Sequence, residues 1–473
     1  MRFIFAVVLF LATSFPGHAQ QILVPPYLQP GNAATLTREQ KVLIWETDSV
    51  PGNFTVAYGL AASQNAPKQT MAKISQVKLE ANKIKTILYR AQLTGLKFDE
   101  TYFYQLTLND KNLSEGSFAS RTKKPQTRFA VFGDCGAGTP QQAQIAYQVA
   151  QQKPQFVLVT GDNVYTFGRA MEYRRRFFPF YLASESSPEK GAALMNSIPF
   201  YLLLGNHDVL GADLDKHPDG LAYYYYNDLP LNAPIPALTV EPEGNPALIK
   251  TFKKNTSPRF PRMANYSFDV GNVHIACLDA NDYINPLDPT LMAWLMADIQ
   301  NSNADWKLVA YHQPGFNSAK GHYNEQRMRL LAPVCEDLKV DLVLTGHEHN
   351  YQRSVPLKFN PKMDETGNHY VISEGKVDGA FTLDENFNGT TSTRPKGIIY
   401  IVSGAGGGVL YDKELSDRPD LWKHEPPGNW VPFTTKLISN VHSFTWIETN
   451  GKTLTLKQID VNGKVIDEIK ITK

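Results

Sequence analysis

From Ile22 to about Phe118, apolar and polar residues alternate in short runs, VLIWET, FTVAYG, ILYRAQL, TYFYQLTL and GSFAS, broken by Gly, Pro, Asn and Asp. A period of two over a stretch with hardly a helical pattern predicts strands, and this many of them predict a small all-β sandwich. The polar segment Arg121 to Arg128, which contains Pro125, reads as a linker. Beyond it the texture changes. Apolar runs RFAVFG (128–133), FVLVTG (156–161), PFYLLLG (199–205), WKLVAYH (306–312) and DLVLTGH (341–347) alternate with helical patterns such as PQQAQIAYQVAQQ, PTLMAWLMADIQNS and EQRMRLLAPVCEDL. Continuous apolar strands interleaved with helices predict a sheet covered on both faces, hence a layered α/β domain. Asn450-Gly451 and Asn462-Gly463 predict two closing hairpins with type I′ turns. The 210–265 stretch, rich in Pro and holding Tyr223 to Tyr226, is too long for an ordinary connection. Its Tyr run favours a packing surface over a catalytic element.

Composition narrows the class of molecule. The 473 residues are 42% hydrophobic and 20% charged, which excludes disordered, collagen-like and coiled-coil chains. Lys+Arg 47 against Asp+Glu 46 gives a net charge of +1, without the basic footprint of a nucleic-acid or acidic-membrane binder. At the N-terminus, Arg2 precedes an apolar stretch from Phe3 to Phe15, and small residues Gly17 and Ala19 follow. This is the pattern of a secretory signal peptide over 1–19 cut after Ala19, too short for a spanning helix of about 20 residues. Its removal leaves a neutral chain with no integral membrane segment, expected in a secreted or periplasmic setting. Cys135, Cys277 and Cys335 are odd in number and widely spaced, which fits small core residues better than a disulfide framework.

Five polar motifs each close an apolar strand: GDCG (133–136), GDNVY (161–165), GNHD (205–208), VAYH (309–312) and GHEH (346–349). Strand ends of an open α/β fold converge on one edge, so these motifs are expected at a single site. Asp134, Asp162, Tyr165, Asn206, His312, His347 and His349 offer two carboxylates, a phenol, a carboxamide and three imidazoles, more than one metal needs. With Asp162 as a bridge, Asp134, Tyr165 and one His make a hard anionic pocket for a trivalent ion. Asn206 and the other two His make a more neutral pocket for a divalent one. Glycines before the ligands are expected to allow sharp turns. His274 and His442 lie in strand-like runs and read as structural, while His217, His369 and His424 fall in loops without a pattern.

In these blocks, GD-x-G, GD-x-x-Y, GNH-[DE], V-x-x-H and GH-x-H, the chain resembles the metallophosphoesterase superfamily and, through Tyr165, its purple acid phosphatases. NYSFDVGNVHIACLDA (265–280), HNYQR (349–353) and IIYIVSGAGGG (398–408) extend the likeness, and PPYLQ (25–29) with LTGLKFDETYFYQL resembles the fibronectin-type-III-like domain that precedes some phosphatase domains. The resemblance implies a signal peptide (1–19), a fibronectin-type-III-like domain (20–120) and an αββα catalytic domain (126–473) of calcineurin-like fold. It implies Fe(III) held by Asp134, Asp162, Tyr165 and His349, and a divalent Fe, Zn or Mn held by Asp162, Asn206, His312 and His347. His207 would contact the phosphate, and His322 lies where the family has a further substrate-binding His, here preceded by Gly321 rather than a second His. The expected activity is acid hydrolysis of a small phosphate monoester by hydroxide attack in line with the leaving group. The 210–265 insertion would cover one side of the site with a Tyr-rich surface against the ester's organic part. The alternatives are a phosphodiesterase or nucleotidase of the same superfamily, and a non-catalytic binding protein derived from one.

Overall fold

A computed structural model describes residues 20–63, 69–81, 84–422 and 431–473. The 1–19 leader and His424 lie outside them. The described residues between 22 and 119 form two four-stranded antiparallel sheets. One orders Ile22–Gln29, Glu39–Asp48, Ile84–Leu96 and Lys73–Ala81; the other orders Thr70–Met71, Phe54–Leu60, Thr101–Leu108 and Lys111–Ala119. Inward residues of both sheets, among them Leu43, Trp45, Tyr89, Val56, Tyr104 and Phe118, bury a common core, as the alternating pattern requires. Trp45 stacks on Tyr89 with ring centroids 5.2 Å apart.

The rest is built on two mixed sheets. The first orders Phe200–Leu202, Phe156–Val159, Gln126–Phe132, Ser443–Asn450, Thr453–Asp460 and Val465–Thr472; its first three strands are parallel. The second orders Tyr266–Val270, Val273–Cys277, Trp306–Ala310, Leu342–Thr345, Ile399–Ser403, Tyr351–Ser354 and Thr434–Ile438, with a parallel run from Val273–Cys277 to Ile399–Ser403. The apolar runs by themselves predict a sheet covered on both faces; the two sheets that face each other are those of the αββα arrangement the resemblance implies. Alternate residues explain why the strands read as unbroken apolar runs: Ile275, Leu308 and Leu342 enter the core between the sheets, while Ala276, Val309 and Val343 face outward into a second core. Helix Pro140–Gln152, capped by Thr139, packs Ile145, Ala146 and Val149 into the cluster that the first sheet's residues join. Helix Pro289–Asn301, capped by Asp288, adds Leu291, Leu295 and Ile299 to the second. Helix and sheet layers thus alternate as αββα. The third helical pattern is split into a 3₁₀ turn Arg327–Leu331 and a short helix Ala332–Asp337 that has Pro in its first turn. Among the described residues no helix is long and apolar enough to cross a membrane. All three cysteines are buried and free.

Three local expectations change. The segment taken for a linker is pinned: Arg121 is buried, its Nε 2.5 Å from Glu39 Oε2, and its guanidinium donates to the carbonyls of Ala34, Arg38 and Asp269. In the 450–453 hairpin the pair Asn450↔Thr453 closes on Gly451 and Lys452, and only Gly451 has positive φ (55°), which marks a type II′ rather than a type I′ turn. The Tyr run is no substrate-facing surface. Tyr223 to Tyr226 are all buried, Tyr223 Oη donates to Leu202 O (2.8 Å), and Tyr226 Oη donates to Glu46 Oε2 (2.8 Å) in the sandwich.

Candidate metal centre

Five loops meet where the parallel strands of the two sheets end. The first sheet delivers Asp134 after Gln126–Phe132, Asp162 and Tyr165 after Phe156–Val159, and Asn206 and His207 after Phe200–Leu202. The second delivers His312 after Trp306–Ala310, and His347 and His349 after Leu342–Thr345. The candidate ligands themselves make the turns: Asp134 (φ 57°), Asp162 (49°) and His347 (70°) have left-handed backbone, a state uncommon outside glycine that clusters at functional sites. The glycines serve mainly close approach, which corrects the expected role. A Cβ on Gly205 would lie 2.1 Å from Asp162 Oδ1. Gly161 also turns, with φ 98°.

The donor atoms fall into two groups. Tyr165 Oη is 2.9 Å from His349 Nε2 and 3.4 Å from Asp134 Oδ1, and His349 Nε2 is 3.5 Å from Asp134 Oδ1. In the other group, His312 Nε2 is 3.1 Å from Asn206 Oδ1, 3.2 Å from His347 Nδ1 and 3.3 Å from Asp162 Oδ1. Atoms of Asp134, Asp162 and His312 lie within 4.8 Å of one another, so Asp162 joins the groups. Each imidazole is aimed by its other nitrogen: His312 Nδ1 meets Thr160 O at 2.8 Å, His349 Nδ1 meets Val409 O at 2.6 Å, and His347 Nε2 meets Glu325 Oε2 at 3.0 Å. A nitrogen that donates to an acceptor leaves its ring partner with a lone pair for a metal.

The electrostatics suit cations. Asp134 is fully buried, and burial, with Asp162 beside it, pushes its carboxyl well up although His312 opposes this. Burial works the same way on Asp162, but His312, His207 and His347 outweigh it and hold that carboxyl low. His312 is likewise disfavoured as a cation by burial, yet Asp162 and Asp134 raise it to about 9, so the cleft draws in positive charge. Burial drives His349 down to about 4 and lowers His347, which keeps both in the neutral form that binds metal. Burial, then Asp134 and Asp162, push the Tyr165 phenol well up, so that only a strongly polarising cation would ionise it.

The two substrate-binding candidates stand beside these groups. His207 Nδ1 meets Thr166 O at 2.9 Å, its Nε2 is 3.9 Å from Asp162 Oδ2, and its ring lies 4.6 Å from that of Tyr165. His322 has its ring 4.2 Å from that of His347 and its Nδ1 3.2 Å from Glu348 Oε2. Both remain partly open to solvent, at 26% and 34%. Four supporting residues escaped the sequence reading. Asp208 accepts from Gly205 N and from Asn163 N and Nδ2, tying two ligand loops together. Tyr411 stacks on His349 at 4.0 Å. Glu325 and Glu348 hold His347 and His322. Asp208 and Glu348 sit inside recognised motifs, but Asn163 on the one side and Asn317 and His322 on the other come from other loops, so spacing gave no sign of their work. His274 is structural, bridging Asp269 (2.7 Å) and Asp298 (3.0 Å), and His442 donates to Gly408 O at 2.7 Å.

Residues 127–351 match the calcineurin-like phosphoesterase family. The chain is 25% identical to purple acid phosphatase 21 of Arabidopsis thaliana over 304 residues, which cover 61% of this chain and 58% of that protein. It is 22% identical to tartrate-resistant acid phosphatase type 5 of Oryctolagus cuniculus over 74% of this chain and 92% of the relative. Among solved structures, a purple acid phosphatase from yellow lupin seeds shares the fold, with a TM-score of 0.64 at 15% identity over 94% of this chain and 74% of that one.

Proposed function

We propose, from the match of residues 127–351 to the calcineurin-like phosphoesterase family, that this protein is an extracytoplasmic acid phosphatase that hydrolyses phosphate monoesters with two metal ions. The observation that carries this reading is the pair of donor groups joined at Asp162, each imidazole turning a free nitrogen into the cleft. Asp134, Asp162, Tyr165 and His349 are a hard, anionic set suited to Fe(III), and Asp162, Asn206, His312 and His347 suit divalent Fe, Zn or Mn. Ions bound there would neutralise the phosphoryl oxygens and lower the pKa of a bound water.

The chain's own residues supply the rest. His207, its Nδ1 fixed on Thr166 O, presents Nε2 at the edge of the cleft, where its protonated form donates to a phosphoryl oxygen. His322, on the opposite side, gives its proton to the leaving oxygen as the P–O bond breaks. No covalent phosphoenzyme is needed. The partner is a small phosphorylated molecule. The apolar leader pattern supports a secreted or periplasmic setting.

The test compares p-nitrophenyl phosphate with bis(p-nitrophenyl) phosphate on the purified, metal-loaded protein. Faster turnover of the monoester supports the proposal; preference for the diester would assign the site to a phosphodiesterase, and turnover of neither would favour a binding protein.

A further inference from the structure

The residue between the two histidines of GHEH does work that metal binding does not explain. Glu348 is completely buried, a costly place for a carboxylate where the role of a mere spacer could be filled by an apolar side chain. Its Oε2 lies 3.2 Å from His322 Nδ1 and accepts from Asn317 Nδ2 at 3.1 Å, while Oε1 has no hydrogen-bond partner among the described residues. The same Asn317 amide donates to Gly321 O at 2.7 Å, so one side chain binds both the carboxylate and the backbone just before His322. Asn317 is in turn fixed through its Oδ1, which accepts from Ala319 N (2.9 Å) and Gln352 Nε2 (2.8 Å). His322 is held in left-handed backbone, φ 49°, which persists only where surroundings over-determine it. Gly321 completes the fit, since a Cβ there would come within 2.8 Å of Glu348 Oε1. Carboxylate and bare glycine are matched to each other.

We propose that Glu348 is the positioning residue of His322. By accepting a hydrogen bond from Nδ1–H it fixes the ring's direction, and in the doubly protonated ring Nε2 carries the proton meant for the leaving oxygen. In the step, the bond from phosphorus to the leaving oxygen breaks with its electron pair on that oxygen, which takes the Nε2 proton. A water oxygen forms the new bond to phosphorus and releases its proton to solvent. The ring ends neutral, still donating through Nδ1 to Glu348. This inference rests on the reading of His322 as proton donor.

The experiment measures kcat, KM and metal content of the full-length, metal-loaded enzyme with ethyl phosphate, whose alkoxide needs a proton, and p-nitrophenyl phosphate, whose leaving group does not. Glu348→Val should lower kcat for ethyl phosphate by about a hundredfold more than for p-nitrophenyl phosphate, with KM and metal content unchanged. His322→Ala should give the same selective loss, and the double variant should be no worse than His322→Ala alone. Glu348→Gln keeps an acceptor oxygen and should recover most of the lost turnover. Gly321→Ala presses on the carboxylate from outside the ligand loop and should reproduce the selective loss even if Glu348→Val fails to fold. Equal losses on both substrates in the Glu348 and Gly321 variants, or loss of metal in Glu348→Gln, would overturn the proposal. A selective His322→Ala beside unselective Glu348 and Gly321 variants sinks this inference alone. An unselective His322→Ala sinks the proton-donor reading and this inference with it.

Discussion

Asp162 stands between the two donor groups, so its removal should act twice. Asp162→Ala should retain neither ion after dialysis, whereas Asn206→Ala should lose chiefly the divalent one; equal metal content in Asp162→Ala and the wild type would contradict the shared role. Tyr165 is the residue that argues for iron, because its phenol is pushed well up by burial and by two carboxylates and would ionise only against a strongly polarising ion. The wild type should absorb visible light by charge transfer, and Tyr165→Phe should bleach it. A colourless wild type carrying two zinc ions would remove iron and leave the phosphoesterase domain standing. Glu325 meets His347 Nε2 at 3.0 Å and so turns Nδ1 toward the proposed divalent site, where it lies 3.2 Å from His312 Nε2. Glu325→Gln should weaken divalent-metal affinity by about 10- to 100-fold, measured by competition with a chelator.

At the scale of elements, the Tyr run shows where pattern and packing part company. Tyr226 Oη, Thr86 Oγ1 and the Arg174 guanidinium all converge on Glu46, and Arg174 contacts both carboxylate oxygens at 2.9 and 3.0 Å. This buried cluster joins the sandwich to the phosphoesterase domain. Glu46→Ala strands its partners and should cost about 3–5 kcal/mol, seen as a lowered thermal midpoint with KM for p-nitrophenyl phosphate unchanged; a shifted KM with intact stability would return the insertion to the substrate. The sequence could give no sign of this, because Glu46 and Tyr226 are far apart along the chain and four consecutive tyrosines fit a surface as readily as a core. Strands and motif positions were legible because each apolar run ends in its polar cluster within a few residues. The facing of two sheets was legible only through the motifs' resemblance to an αββα fold, since period-two patterns say which residues alternate but not what each face meets. The supporting groups Asp208, Glu325, Glu348 and Tyr411 were hidden for the same reason.

Buried ionic clusters recur across the molecule, and one of them, around His274, ties strand Val273–Cys277 to strand Tyr266–Val270 and helix Pro289–Asn301. Burial disfavours charge on His274, but hydrogen bonds to Asp269 and Asp298 outweigh it and raise the ring to about 9. A folded value above the unfolded one, near 6.5, means that this contribution is complete below pH ~6.5 and disappears as pH rises to ~9. It is on the order of 3 kcal/mol. Urea midpoints should therefore fall across that window, and His274→Gln should flatten the fall; an unchanged slope in the variant would assign the pH dependence elsewhere. Asp269 also lies where the domains touch, its carbonyl receiving Arg121 and its N–H donating to Ala34 O.

In the proposed function, five loops from two sheets hold two metal ions, and phosphate ester hydrolysis depends on both. Metal content and p-nitrophenyl phosphate turnover, followed together on the purified full-length protein through chelation and stepwise metal return, test it most directly. The account predicts two ions per chain, activity lost as they leave, and recovery only as the second equivalent returns. Full turnover with one ion or none per chain would contradict it.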